Sequence, residues 1–147
     1  MSTTSLTAAA ARKQLSDLLD GLIQRTPGTT YAVLGSNDGL KLARSSQPTA
    51  QADGTAATAT AMFSLAQGHF KDHQGGTRQI AVEHDSGNFF VMSAGVSRVD
   101  GLSTILAVDT APDADPGLVG HEMVSFINGL DEHLVTEARN RRDAVSG

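Results

Sequence analysis

Five histidines, sixteen carboxylates and three lysines are the side chains of this 147-residue chain best suited to chemistry. His69 and His73 stand four apart, a spacing that brings two imidazoles to one helical face as metal ligands require. A site would need a third ligand, for which Glu83, His84 and Asp85 are the candidates. Two histidines at the exposed end of a helix are the simpler reading. His121-Glu122 matches the start of a His-Glu-x-x-His zinc motif, but Ser125 stands where the second histidine belongs, so the paired ligands of that chemistry are missing.

Nucleotide chemistry fares no better. A phosphate loop needs glycines followed by lysine and a hydroxyl residue, so that amides and a cation converge on phosphates. Neither Lys13, Lys41 nor Lys71 follows glycine and precedes serine or threonine. Gly-x-Ser-x-Gly, the strained turn that presents a hydrolase serine, does not occur. Asp38, Asp85 and Asp109 fall at turns or strand ends, where a carboxylate ordinarily bonds the local backbone. No catalytic, cofactor or metal residue is therefore assigned, and the expectation is a protein that is not an enzyme and needs no cofactor.

The elements that would position such groups are those of one domain, since a chain of about 150 residues can bury a sufficient core. Hydrophobic residues are 39% and charged residues 18% of the total. Cysteine is absent, which excludes disulfides and thiolate metal sites and agrees with a reducing, cytoplasmic setting. A net charge of −5 opposes phosphate backbones, so no nucleic-acid partner is expected. The basic run Arg139 to Arg142 reads as the solvated end of a last helix. No apolar run reaches the ~20 residues of a membrane span, so no membrane insertion is expected.

Leu15, Leu18, Leu19, Leu22 and Ile23 repeat at three and four, predicting a helix over about 8–25 that Pro27-Gly28 stops. Tyr31–Leu34 and Leu40–Ala43 read as strands around a Ser36-Asn37-Asp38-Gly39 turn. Ala59, Met62, Phe63, Ala66 and Phe70 mark a second helix over about 53–73, begun near Asp53 and ended by Gly75-Gly76. Arg78–His84 and Phe89–Ala94 form a second hairpin around Asp85-Ser86-Gly87-Asn88, and Ser103–Val108 is a fifth strand. Pro116 opens a last helix with a stripe of Val119, Met123, Phe126, Ile127, Leu130 and Leu134. Consecutive apolar positions in Tyr31–Leu34, Phe89–Met92 and Ile105–Val108 predict central strands covered on both faces. Residues 1–7 are expected to be a disordered tail, 8–139 the domain and 140–147 a polar tail.

The amphipathic Leu15–Arg25 helix, Pro27-Gly28, the strand Tyr31–Gly35 and Ser36-Asn37-Asp38-Gly39-Leu40, followed by the remaining elements in order, resemble the roadblock (dynein light-chain roadblock) family and its bacterial branch. The resemblance spans about Leu15 to Leu134. It implies an α/β fold of α+β sandwich type in the order αββαβββα. The sheet would be five-stranded and antiparallel, with helices 1 and 3 on one face and helix 2 on the other. It further implies a homodimer in which third strands join edge to edge and second helices lie together. The implied function is regulation or scaffolding of a small Ras-like GTPase in a bacterial signalling assembly, alongside a sensor-kinase-like protein.

On that reading the interface residues are Ala59, Met62, Phe63, Ala66 and Phe70 of the second helix with Ile80 and Val82 of the third strand. An edge strand exposes backbone groups that must be paired, covered or charged, and a symmetric copy pairs them. Candidate GTPase contacts are Asn37, Asp38, Gln67 and Lys71. A small-molecule sensor is the alternative, since alanines and glycines leave room for an internal cavity.

Overall fold

The computed structural model describes residues 3–36, 41–45, 52–96 and 103–130. Helix α1 (Thr3–Arg25) leads into β1 (Thr29–Ser36) and β2 (Lys41–Arg44), then α2 (Ala52–His69). Strands β3 (Gln79–His84), β4 (Gly87–Val96) and β5 (Ser103–Thr110) follow, and α3 is described over residues 116–130. The strands form one antiparallel sheet in the order β2-β1-β5-β4-β3.

Period-two alternation sorts the strand residues between two faces. The cross-strand partners Leu34 and Leu106, Ala32 and Val108, and Met92 and Leu106 share one face. There they pack against Leu15, Leu19 and Leu22 of α1 and Val119, Met123, Phe126 and Leu130 of α3. The opposite face carries Tyr31 and Val33 against Ala52 and Ala56, and Val91, Ile105 and Ala107 against Ala59 and Phe63. Helices α1 and α3 therefore cover one side and α2 the other. The three alanines let α2 lie close to the sheet, and Phe63 is the large side chain among its buried residues.

Local chemistry sets the boundaries. The α1 carbonyls are closed by threonines: Thr26 Oγ1 donates to Leu22 O at 2.7 Å, and Thr29 Oγ1 donates to Ile23 O at 3.1 Å. Gly28 then turns the chain at φ +89°, where a Cβ would lie 2.7 Å from Ala114 Cβ. Strand β2 is short, yet its ladder gains one rung from a side chain: Ser45 N–H donates to Ala32 O at 2.9 Å while Ala32 N–H donates to Ser45 Oγ at 3.0 Å. At α3, Asp115 Oδ1 accepts from the Gly117 and Leu118 amides, an N-cap with Pro116 in the first turn. Arg25 of α1 meets Glu122 of α3 at 3.6 Å.

Two expected boundaries move. Helix α1 starts at Thr3, so residues 3–7, expected as tail, continue the helix; Ala8 to Ala11 have the propensity to carry it outward. Helix α2 ends at His69 and not near His73. The chain leaves it through turns in which Phe70 N–H donates to Ala66 O and His73 N–H donates to Phe70 O. The Asn37-Asp38-Gly39 turn and Arg139 to Arg142 lie outside the described residues. Among the described residues no helix is long and apolar enough to cross a membrane.

Candidate functional site

Among the described residues strand β3 is the outer strand of the sheet and pairs with β4 alone. All of its residues are exposed except the half-buried Ile80. Ile80 and Val82 stand opposite Val91 and Phe89, which places them on the face that α2 covers. Val82 is 39% exposed, and on α2 or just beyond it Leu65 is 76% and Phe70 52% exposed. An unpaired edge and these apolar side chains thus belong to one side of the molecule. Such a surface offers backbone hydrogen bonds and apolar area to another chain.

The seven residues expected at the interface divide into two groups. Ala59 and Phe63 are buried, at 2% and 8% exposure, against Val91, Ile105 and Ala107; they seat α2 on its own sheet. Met62 and Ala66 are half-buried on the flank of the helix. Ile80 packs partly against the same cluster, while Phe70 and Val82 reach solvent. Periodicity misses Leu65, which lies off the stripe it selects. A leucine outside the apolar stripe of an alanine-rich helix is the signal that could have found it.

Of the candidate contacts, Gln67 has a local task. Its Oε1 accepts from Thr77 N–H at 3.1 Å and Thr77 Oγ1 at 3.0 Å, tying α2 to the approach to β3. Lys71 is exposed beyond the helix end. Asn37 and Asp38 lie outside the described residues.

The histidines do not share a helical face, since α2 ends at His69. Instead both rings stand edge-on to Phe70, with centroids 4.7 Å (His69) and 5.8 Å (His73) from it. His84 Nδ1 accepts from Ser86 N–H at 3.0 Å across the β3–β4 turn. Among the described residues no group of three or more His, Asp or Glu side chains is placed to hold a metal ion.

On the α2 face burial raises the Asp109 carboxyl above its ordinary range. Burial also raises the cross-strand Tyr31 phenol, with Arg44 opposing and Asp109 and Asp53 adding to the rise. Among the described residues the Tyr31 hydroxyl is buried without a hydrogen-bond partner. No hydrogen bond therefore joins it to Asp109, and the two form no proton relay.

A family model described as Roadblock/LC7 domain matches residues 15–108. A crystal structure of a Roadblock/LC7 domain from Streptomyces avermitilis is 36% identical, superposes with a TM-score of 0.72, and the match covers 82% of this chain and 97% of that one. The gliding protein MglB from Thermus thermophilus shares 17% identity with a TM-score of 0.69, over 84% of this chain and 90% of that one. MglB of Myxococcus xanthus shares 12% identity with a TM-score of 0.70, over 85% and 90%. Among curated proteins no sequence matches.

Proposed function

The chain belongs to the Roadblock/LC7 domain family, and on that premise we propose that it is a non-catalytic homodimer that regulates or scaffolds a small Ras-like GTPase. The observation that carries the reading is the unpaired β3 edge beside exposed Leu65, Phe70 and Val82. Two copies related by a two-fold axis would pair these edges and cover the apolar side chains in one self-complementary contact. Met62, Ala66 and Ile80, half-buried in the single chain, would complete that contact. Ala59 and Phe63 would support it from beneath.

The GTPase would then meet the paired helices and their flanking loops, including Lys71 and the Asn37-Asp38 segment. A regulator acts on a switch protein only by binding one nucleotide state more tightly than the other. Equal affinity for both states would make the protein a scaffold.

Leu65→Asp combined with Val82→Asp places charges in the contact at positions already open to solvent, so the fold survives. Sedimentation should give twice the chain mass for the wild type and one chain mass for the variant, with unchanged circular dichroism. Phe63→Asp is the poorer probe, because Phe63 is a core residue. Capture from the native cell with GDP and with a GTP analogue tests the partner. Absence of any small GTPase from both eluates would defeat the regulatory reading, and a monomeric wild type would defeat the dimer.

A further inference from the structure

Alternate residues of an antiparallel strand turn both backbone groups toward one neighbour, and the residues between them turn theirs the other way. Ser93 N–H donates to Arg78 O at 3.3 Å, which sets the phase of β3. Arg78, Ile80, Val82 and His84 address β4, so Gln79, Ala81 and Glu83 present their N–H and C=O groups to the open side. From Gln79 to Val82 this edge lacks the charged residues and prolines that ordinarily guard one. Its side chains also mirror one another about Ala81. Ile80 and Val82 flank it on the α2 face, and Gln79 and Glu83 lie beyond them on the opposite face. The order Gln-Ile-Ala-Val-Glu is therefore alike in size and polarity from either end.

We infer that the edge takes a second copy of itself, antiparallel, with the two-fold axis passing through Ala81. The inference rests on the homodimer proposed above and adds its register. With the axis at Ala81, every outward residue meets an outward residue: Ala81 faces its own copy, and Gln79 faces the partner's Glu83. On the α2 face Ile80 comes opposite the partner's Val82, so two β-branched side chains meet where Val82 is 39% exposed in the single chain. On the opposite face the Gln79 amide donates to the partner's Glu83 carboxylate. Moving the axis to Val82 sets Ile80 against the partner's His84 and Gln79 against the partner's Asp85, a turn residue. Moving it to Ile80 sets Val82 against the partner's Arg78 and Glu83 against the partner's Thr77. Either displacement leaves one outward residue of each β3 without a β3 partner and spoils the apolar pair.

The chain has no cysteine, so introduced cysteines report the register by disulfide capture. Facing residues that exchange hydrogen bonds have Cα atoms about 5.5 Å apart, within reach of a disulfide. Residues offset by two positions lie about 7–8 Å apart, at or beyond its limit. Ala81→Cys should form a covalent dimer on diamide oxidation at least about tenfold faster than Ile80→Cys or Val82→Cys. Gln79→Cys with Glu83→Cys in one chain should also be captured, while each of these changes alone should not. Gln79, Ala81, Val82 and Glu83 are exposed, so these variants fold even if Ile80→Cys does not. Faster capture at Ile80 or Val82 would overturn the register and leave the homodimer standing. A wild type of twice the chain mass in sedimentation, with no capture at any position, would overturn edge-to-edge pairing. A monomeric wild type would defeat the homodimer and this inference together, leaving the edge to a strand of a different protein.

Discussion

The two faces of the sheet are built to different degrees of completion. The face under α1 and α3 is one continuous core joining both helices to β1, β2, β4 and β5. The face under α2 holds two separate, smaller clusters, with Leu65, Phe70 and Val82 exposed beside them, whereas the exposed apolar residues of α1 and α3 (Leu18, Leu118 and Val124) lie outside one joined core. One helix is too narrow to cover five strands: α2 lies over β1, β2 and β5 and reaches Val91 of β4, while of β3 only Ile80 packs partly against its cluster. The difference is that the first face is the main core of the protomer, and on the proposed reading the second is the side offered for association.

That contrast can be broken by substitution. Leu19 is fully buried beneath α1, so Leu19→Ala should lower unfolding free energy by about 2–5 kcal/mol in urea titration. Leu65→Ala on the other face should change the stability of the monomer by no more than about 0.5 kcal/mol. Similar losses at both positions would erase the distinction. Next in size is Gly28→Ala, which demands φ +89° of an L-residue and presses a methyl group onto Ala114 beside the closed core. A loss of about 1–3 kcal/mol in the same titration is expected.

The smallest effect sharpens the account of the open face. Asp109 has a folded-state carboxyl pKa raised by burial, so the folded protein holds this proton more tightly than the unfolded chain does. Its contribution is therefore most favourable below the ordinary carboxylate range and declines as pH rises through the folded-state value. Asp109→Asn removes that decline. The variant should be more stable than the wild type at neutral pH by under about 1 kcal/mol, with the gain vanishing in acid. Thermal unfolding at several pH values reads it, and a gain that persists in acid would assign it to another cause.

Much of the architecture was legible in side-chain order. Consecutive apolar residues at Tyr31–Leu34 announce a strand covered on both sides, and Val33 and Leu34 do face opposite cores. Pro27-Gly28 and Pro116 mark where helices stop and start because their backbone constraints act locally. The proposed association surface was less legible. Periodicity selects the stripe Ala59, Phe63, which is the side of α2 turned inward, and it cannot tell a stripe spent on the protomer from one offered to a partner. Val82 was named from the sequence as part of an edge strand, whereas Leu65 required the sheet order before its exposure had meaning.

The Ser45 hydroxyl that completes the last rung beside Ala32 has a use in protein engineering. Because that pair of bonds locks strand β2 before the following segment begins, length added after position 45 acts on a sealed ladder and leaves the pairing register alone. The junction is thus a natural place to graft a fluorescent reporter or a tether without unzipping the sheet.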